Sequence, residues 1–429
     1  MAVGDREGLR VSRPVRDQMG WDACCLDDLL SPDHRARQVW AYVECCDLSA
    51  LYGQIRSVEG GAGRAPTDPA VLMALWLYAT LQSVGSARFL ERLCESDAAY
   101  RWLCGGVGVN YHTLADFRVE AGALLDDLLT RSMAALAAAG IVDLDCLAVD
   151  GVRVRASAGT SSFRGAASLG GLHALAEQKV AALADELRSD PGAASKRSVA
   201  RGLREAKSRA ARIAAALAAA GAIAAERQAE AEKQRRRKPK NKKPPRGSTT
   251  DAEARVMSMA DGGYRPAYNL QFKTDPKSGC VVGLSATNKA SDRGQLIAAI
   301  EETQRRYGVT PGRVLADGGY NAKDDIEQAH QKKVAAFSPL PASTGKSDPA
   351  EPKPGDGEGV AAWRARMNSD EGAAIYARRF ACERPHADAR NRGLQRFPVR
   401  GLAKVKSVAL WYVTAFNFLQ IQRLAPKPA

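Results

Sequence analysis

Apolar positions along the chain repeat with two periods, and the change from one to the other divides it. From Leu26 to about Leu136 they recur every three to four residues, the spacing of a helix face. Ser31-Pro32-Asp33-His34 opens a helix carrying Val39, Trp40, Val43 and Cys46. Thr67-Asp68-Pro69 opens another, rich in Leu72, Leu75, Trp76 and Leu81, with proline in the first turn, where it costs no hydrogen bond. Ser86 through Glu95 and Thr113 through Leu129 read as two more, the last capped by His112-Thr113. Arg88, Arg92 and Arg101 punctuate this bundle, and basic helix ends suit helix-turn-helix-like contact with DNA as well as plain packing.

The pattern then becomes strand-like. Asp143 to Val154 is a β-branched, apolar run. Two helices interrupt: Leu172–Leu187 and, after the turn Ser189-Asp190-Pro191-Gly192, an alanine-rich stretch from Val199 to Lys233. Leu203, Ala206, Ala210, Ile213 and Leu217 recur on one side of the second, predicting an antiparallel hairpin. Period-two alternation resumes over Ala267–Phe272, turns through Asp275-Pro276-Lys277-Ser278-Gly279 and returns over Cys280–Leu284. Asp292–Tyr307 is an amphipathic helix with Leu296, Ile297 and Ile300 inward. Arg313–Ala316 and Lys333–Phe337 are strands, Ser343–Gly359 a loop, and Asp370–Arg392 and Ser407–Arg423 closing helices. This order predicts an α/β fold with a five-stranded mixed sheet flanked by helices, behind an all-α N-terminal region.

Composition adds one unusual fact. Of 429 residues, 45% are apolar and 26% charged, which is ordinary, but the net charge is +14, which points to a polyanionic partner. Nine of those charges lie in one run without acids: Lys233, Arg235, Arg236, Arg237, Lys238, Lys240, Lys242, Lys243 and Arg246, with three prolines among them. Such a run cannot pack a core; it reads as an extended tether that touches phosphates. The N-terminus lacks a signal peptide's apolar core, and no apolar run is expected to span a membrane, so a cytoplasmic protein is expected. The nine cysteines show no C-x₂-C spacing and read as small core side chains. Cys382 and His386, one turn apart, do not make a zinc site.

The chemistry rests on isolated acids. Asp150 interrupts the apolar Leu144–Val154 run, and Asp317 closes Val314-Leu315-Ala316 just before Gly318-Gly319. An ionised carboxylate in an apolar strand is costly unless a cation or hydrogen bonds compensate it. Each acid singly also reads as a turn cap. On the predicted helix Asp370–Arg392, Tyr376, Arg379, Glu383 and Arg390 fall within an arc of roughly 60°. The plain alternative there is a solvated face with an Arg379–Glu383 pair. Two strand acids and a helical Glu make a minimal oxygen cage for a hard divalent cation.

Asp150, Asp317 and Glu383 resemble the Asp-Asp-Glu triad of ribonuclease-H-like transposases from bacterial insertion sequences. Tyr376, Arg379, Glu383 and Arg390 match that family's Y-(2)-R-(3)-E-(6)-K signature, with Arg in place of the final Lys. Leu315–Tyr320 resembles its second-Asp motif. Ser248–Asp251 with Met259–Asn269 resembles the segment before its middle strands. Gly63–Pro66, Tyr100–Leu103 and His112–Arg118 resemble the helical domain of one branch. The resemblance implies a ribonuclease-H-like core over 138–160 and 248–429. It also implies a DNA-contacting helical domain over 21–137 and helices inserted after the first strand, where the periodicity places a hairpin over 165–235; polarity and charge mark an arm over 1–20 and the tether over 233–247.

It further implies cleavage and transfer of DNA strands at terminal inverted repeats into target DNA, with Mg²⁺ or substituting Mn²⁺ held by the three acids. Tyr376, Arg379 and Arg390 would contact DNA, and a homodimer or larger assembly would work on it. The residues alone imply only metal-assisted phosphoryl transfer. A nuclease that does not join, and a DNA-binding regulator in which the acids are structural, are the alternatives. Trp363 reads as a core or surface side chain, with a base-flipping wedge as the alternative. None of the five histidines adjoins Asp150 or Asp317 in sequence.

Overall fold

The computed structural model describes residues 25–55, 65–189, 193–233, 244–342 and 348–424. The 1–20 arm, the turn at 190–192 and tether residues 234–243 lie outside them. Among the described residues seven helices come first: α1 (Arg35–Glu44), α2 (Ser49–Tyr52), α3 (Pro69–Leu81), α4 (Ala87–Ser96), α5 (Ala98–Cys104), α6 (Tyr111–Glu120) and α7 (Gly122–Ala138). The Asp68 carboxylate accepts from the Ala70 N–H at 2.8 Å, starting α3 with Pro69 in its first position. The single helix expected over Thr113–Leu129 is two, meeting at Ala121, and Asn110 rather than His112-Thr113 caps the first. Gly122 explains the break: a Cβ there would stand 2.2 Å from Ser407 Oγ, so the chain must turn where the C-terminal helix presses in.

The core follows: β1 (Cys146–Arg155), β2 (Phe163–Gly165), α8 (Ala166–Ser189), α9 (Ala193–Lys233), β3 (Arg246–Ser248), β4 (Arg255–Ser258), β5 (Tyr264–Thr274), β6 (Val281–Thr287), α10 (Gln295–Tyr307) and β7 (Arg313–Ala316). After it come α11 (Lys323–Gln331), β8 (Ala335–Phe337), α12 (Glu358–Met367), α13 (Asp370–Ala377), α14 (Glu383–Asn391) and α15 (Leu402–Leu424). The five expected strands are present, β1 lying between antiparallel β5 and parallel β7, with β8 beyond β7. A short β4, not foreseen, shares the outer edge of β5 with β6. The fold is ribonuclease-H-like: a mixed sheet flanked by helices, with a helical N-terminal region.

The α8–α9 pair leaves the sheet after β2 and returns through β3, which pairs with β2 at its base. Ala210 and Ile213 face α8 as the periodicity predicts, against Leu169 and Ala176. Within α9, Lys196–Glu232 is long and apolar enough to cross a membrane by length and composition alone, with 22% of its most apolar window buried.

α15 is buried on nearly every side from Val405 to Phe418, between α3, α6 and α7 on one hand and β6 on the other. Asn417 pins it to the sheet, accepting from the Val281 N–H at 2.9 Å and donating to the Val281 carbonyl at 2.8 Å. A buried charge chain makes a second tie. Lys273 on β5, 2% exposed, pairs with Glu302 on α10; Glu302 meets Arg306 at 2.8 Å; Arg306 reaches Asp126 on α7, which also pairs with Lys406 at 2.8 Å.

Burial alone would raise Glu302, but the Lys273 and Arg306 charges outweigh it and hold its carboxyl down at about 2. Its folded value is depressed, so its contribution is full above about 4.5 and is lost as pH falls towards about 2. Glu302→Gln should remove that part of the acid dependence in denaturant titrations at several pH values. It should also cost about 3–5 kcal/mol at neutral pH, because Lys273 is left buried without its partner. Parallel pH profiles for the two proteins would show that Glu302 does not carry this charge chain.

Candidate active site

β1 and β7 run parallel with Val149 opposite Ala316, so one step further Asp150, midway along β1, stands beside Asp317, just past the end of β7. Each has a local reason to be there. The Asp317 carboxylate accepts from the Gly319 N–H at 2.7 Å and starts the turn Gly318–Tyr320. Asp150 Oδ1 accepts from the Gly151 N–H at 2.8 Å, while Oδ2 takes a hydrogen bond from Arg379 Nη1 at 3.3 Å. Burial pushes the Asp150 carboxyl above the usual carboxylate range. The Arg379 charge and the Gly151 N–H pull it back, and neighbouring Asp317 adds to the rise. Both strand acids therefore sit where the sequence pattern put them, and Asp150 needs a cation.

The helix predicted over Asp370–Arg392 is not continuous. α13 ends at Ala377, Arg378–Cys382 tighten into a 3-10 segment packed on β1, and α14 begins at Glu383. Pro385 supplies the reason: it has no N–H to give the Ala381 carbonyl, and its ring crowds that carbonyl. The four-residue stripe is consequently dispersed. Tyr376 is half-buried beside Cys146 and Leu315. Arg379 turns inward to Asp150. Glu383 is 69% exposed, its Oε1 3.9 Å from Arg379 Nη2, and Arg390 is exposed in the last turn of α14.

Among the described residues no three acids, histidines or cysteines stand close enough to hold a metal ion. Asp150 and Asp317 are brought together; Glu383 is linked to them through the Arg379 guanidinium, which bridges the two acids it separates.

Other residues complete the site in roles that the sequence did not suggest. His386, distant from Asp150 along the chain, places Nδ1 3.7 Å from Asp150 Oδ2. Burial, then the Arg390 and Arg379 charges, draw its pKa down to about 3, so it is a neutral imidazole, with Nε2 buried and unpartnered. Asp292 takes hydrogen bonds from Asn269 at 2.7 Å and Gln271 at 2.8 Å, and Gln271 in turn accepts from the Tyr320 hydroxyl. A Cβ on Gly319 would lie 2.9 Å from Asp317 Oδ1 and 3.4 Å from Asp292 Oδ2, so this network adjoins the Asp317 turn. The signal was present: Asn269, Gln271 and Lys273 are polar at period two in an otherwise apolar strand.

Phe380, between Arg379 and Glu383 in sequence, is 64% exposed. Trp363 is a core side chain, donating to the Ser338 carbonyl at 3.0 Å, and not a surface wedge. The Cys382 thiol is buried and its pKa pushed up, which unsuits it as a ligand.

Of the basic run, Arg246 lies in β3 and donates to the Phe163 carbonyl at 2.6 Å, so its charge is engaged within the fold. Lys233 ends α9. Arg235, Arg236, Arg237, Lys238, Lys240, Lys242 and Lys243 lie outside the described residues.

Paired carboxylates on neighbouring strands of a ribonuclease-H-like sheet are a hard-oxygen donor set for a cation. Comparison with known families is more specific. The family described as a transposase DDE domain matches residues 228–418, and the one described as a transposase domain (DUF772) matches residues 24–120. Both matches are to transposase domains, consistent with a DDE-type transposase of an insertion sequence. The first match includes Asp317 and Glu383 and begins after Asp150; the second spans α1 to the end of α6. No curated protein and no solved structure matches the chain.

Gly151 tests how tightly the site is built. A Cβ there would lie 2.7 Å from Gln271 Nε2, 2.8 Å from Asp292 Oδ1 and 2.9 Å from Asn269 Oδ1. Gly151→Ala should therefore lower unfolding stability in urea by about 1–3 kcal/mol. An unchanged midpoint would mean that the network yields freely and does not buttress the acids.

Proposed function

We propose that this transposase cleaves DNA strands at the terminal inverted repeats of its insertion sequence and transfers them to target DNA. In this reading Asp150, Asp317 and Glu383 are the reactive triad and the chain belongs to the Y-R-E-K branch. The observation that carries the reading is the Asp150–Asp317 pair, side by side with a guanidinium as counter-ion. The donor set consists of hard carboxylate oxygens, and a cation already bridges Asp150 and Glu383, which fits a hard divalent ion such as Mg²⁺ or Mn²⁺. When bound, that ion supplies the positive charge that acidifies the attacking hydroxyl and stabilises the leaving oxygen.

The chain's own groups do the rest. Asp150 and Asp317 would hold the ion, with Glu383 on α14 as the third carboxylate ligand. Arg379, released from Asp150, turns its fork to a phosphate flanking the scissile bond, and Arg390 holds another further along the helix. Tyr376 contacts the same backbone, and the exposed Phe380 ring offers a face for a neighbouring base to stack on. His386 stays neutral against Asp150 and leaves proton handling to the carboxylates. Two ends must be processed in concert, so the working form contains at least two copies.

Asp150→Asn, Asp317→Asn and Glu383→Gln should each lower strand cleavage more than about a hundredfold, the scale of losing a preorganised charged group, while binding of end DNA survives. The decisive assay joins a labelled transposon end to a plasmid with Mg²⁺. Joined product supports the proposal, cutting without joining supports a hydrolytic nuclease, and binding with neither supports a regulator. Substantial cleavage by Glu383→Gln would overturn the triad.

Neutralising three or four tether charges should weaken binding to end and random DNA equally. It should also flatten the slope of log K against log salt by about 3 units, at roughly 0.9 per phosphate contact. Selective loss of end binding would show instead that the tether reads sequence.

A further inference from the structure

A second cationic site lies apart from the acids. A cleft of about 120 Å³ opens between the helical region and the core, lined by Trp76, Gly85 and Arg118 on one side and Arg396, Pro398 and Trp411 on the other. None of its lining residues is acidic. Arg118 is only 9% exposed, lies 4.5 Å over the Trp76 ring, and has no ion pair with any acid among the described residues. Its Nη1 donates to the Gly85 carbonyl at 2.6 Å, while Nε is buried without a partner. A buried guanidinium with no carboxylate, and one edge of its donor fork unused, is an expensive arrangement that an anion would repay. Arg396 stands exposed on the opposite wall, and its side chain makes no hydrogen bond or ion pair among the described residues.

We propose that this cleft is a phosphate-binding site, gripped by Arg118 and Arg396 across the junction of the two regions. The phosphodiester of a DNA strand is the source the placement favours. α14 runs from Glu383 to Asn391, roughly 12 Å at 1.5 Å per residue, and the cleft's Gly393 lies two residues beyond its end. A strand entering the triad along α14 would present a backbone phosphate to the cleft about three to four base steps away. Only this choice of source rests on the transposase reading; phosphate binding itself does not.

The test uses the whole chain and two probes. Inorganic phosphate, titrated against chloride at equal ionic strength, should perturb tryptophan fluorescence through Trp76 and Trp411 and raise the melting temperature by roughly 2 °C or more. Arg396→Ala, at an exposed position, should abolish both responses without changing the unliganded melt. Arg118→Lys, which keeps the charge and loses the fork, should weaken them at least about tenfold in half-saturating phosphate. Duplex DNA is the second probe: Arg396→Ala should reduce the salt slope by roughly 0.9, one phosphate contact. A phosphate response with an unchanged DNA slope supports the site and assigns it to free phosphate. Fluorescence and melting that ignore phosphate in the wild type overturn the proposal, whatever the cleavage assays show.

Discussion

The negative charge of Asp150, set into the central strand, is the constraint around which this structure is arranged. A carboxylate there is desolvated by the sheet and repelled by Asp317 beside it, and both effects push its proton affinity up. The fold answers with Arg379. For its guanidinium to reach β1, the segment after α13 has to leave the α-helical path, and Pro385 is what makes it leave. His386, one turn into α14, packs against the same oxygen as a neutral ring. The Arg379 guanidinium thus serves as the internal counter-ion that balances Asp150.

The second theme is how the helical region is held to the sheet. α15 serves as a core element for both, with Trp411 donating to the Arg118 carbonyl and Asn417 bonded to β6. The chain from Lys273 through Glu302 and Arg306 to Asp126 and Lys406 crosses the same junction with charges. An apolar contact alone would tolerate sliding, whereas buried ion pairs fix register at an energetic cost. The junction therefore holds the helical region and the sheet in one register. The Arg118 cleft lies in that junction.

Much of this was legible in the sequence, for identifiable reasons. Asp150 and Asp317 stood out as a set, two isolated acids at apolar strands together with a helical Glu, and adjacent parallel strands brought the two together. The alanine-rich hairpin was visible in its period, as was the capped, proline-started α3. Other features were hidden by how they arise. The stripe of Tyr376, Arg379, Glu383 and Arg390 assumed an unbroken helix, although Pro385 was in plain view. Asp292 sits in a loop with no period to betray it, and only the Asn269–Gln271 face of β5 hinted at a polar partner. The split at Gly122 depends on Ser407, nearly three hundred residues away, and Arg118 looks like any basic helix residue until Trp76 and Trp411 close around it.

Convergence of Asp150, Asp317 and Glu383 on one divalent ion is the central claim, and localised oxidative cleavage tests it most directly. Fe²⁺, which accepts oxygen ligands, can replace Mg²⁺ in the end-bound protein, and ascorbate with peroxide then cuts the polypeptide near the ion. The account predicts three clusters of cuts, around residues 150, 317 and 383, all suppressed by excess Mg²⁺ and by Asp150→Asn. Cuts confined to one of these segments, or centred elsewhere, would contradict it.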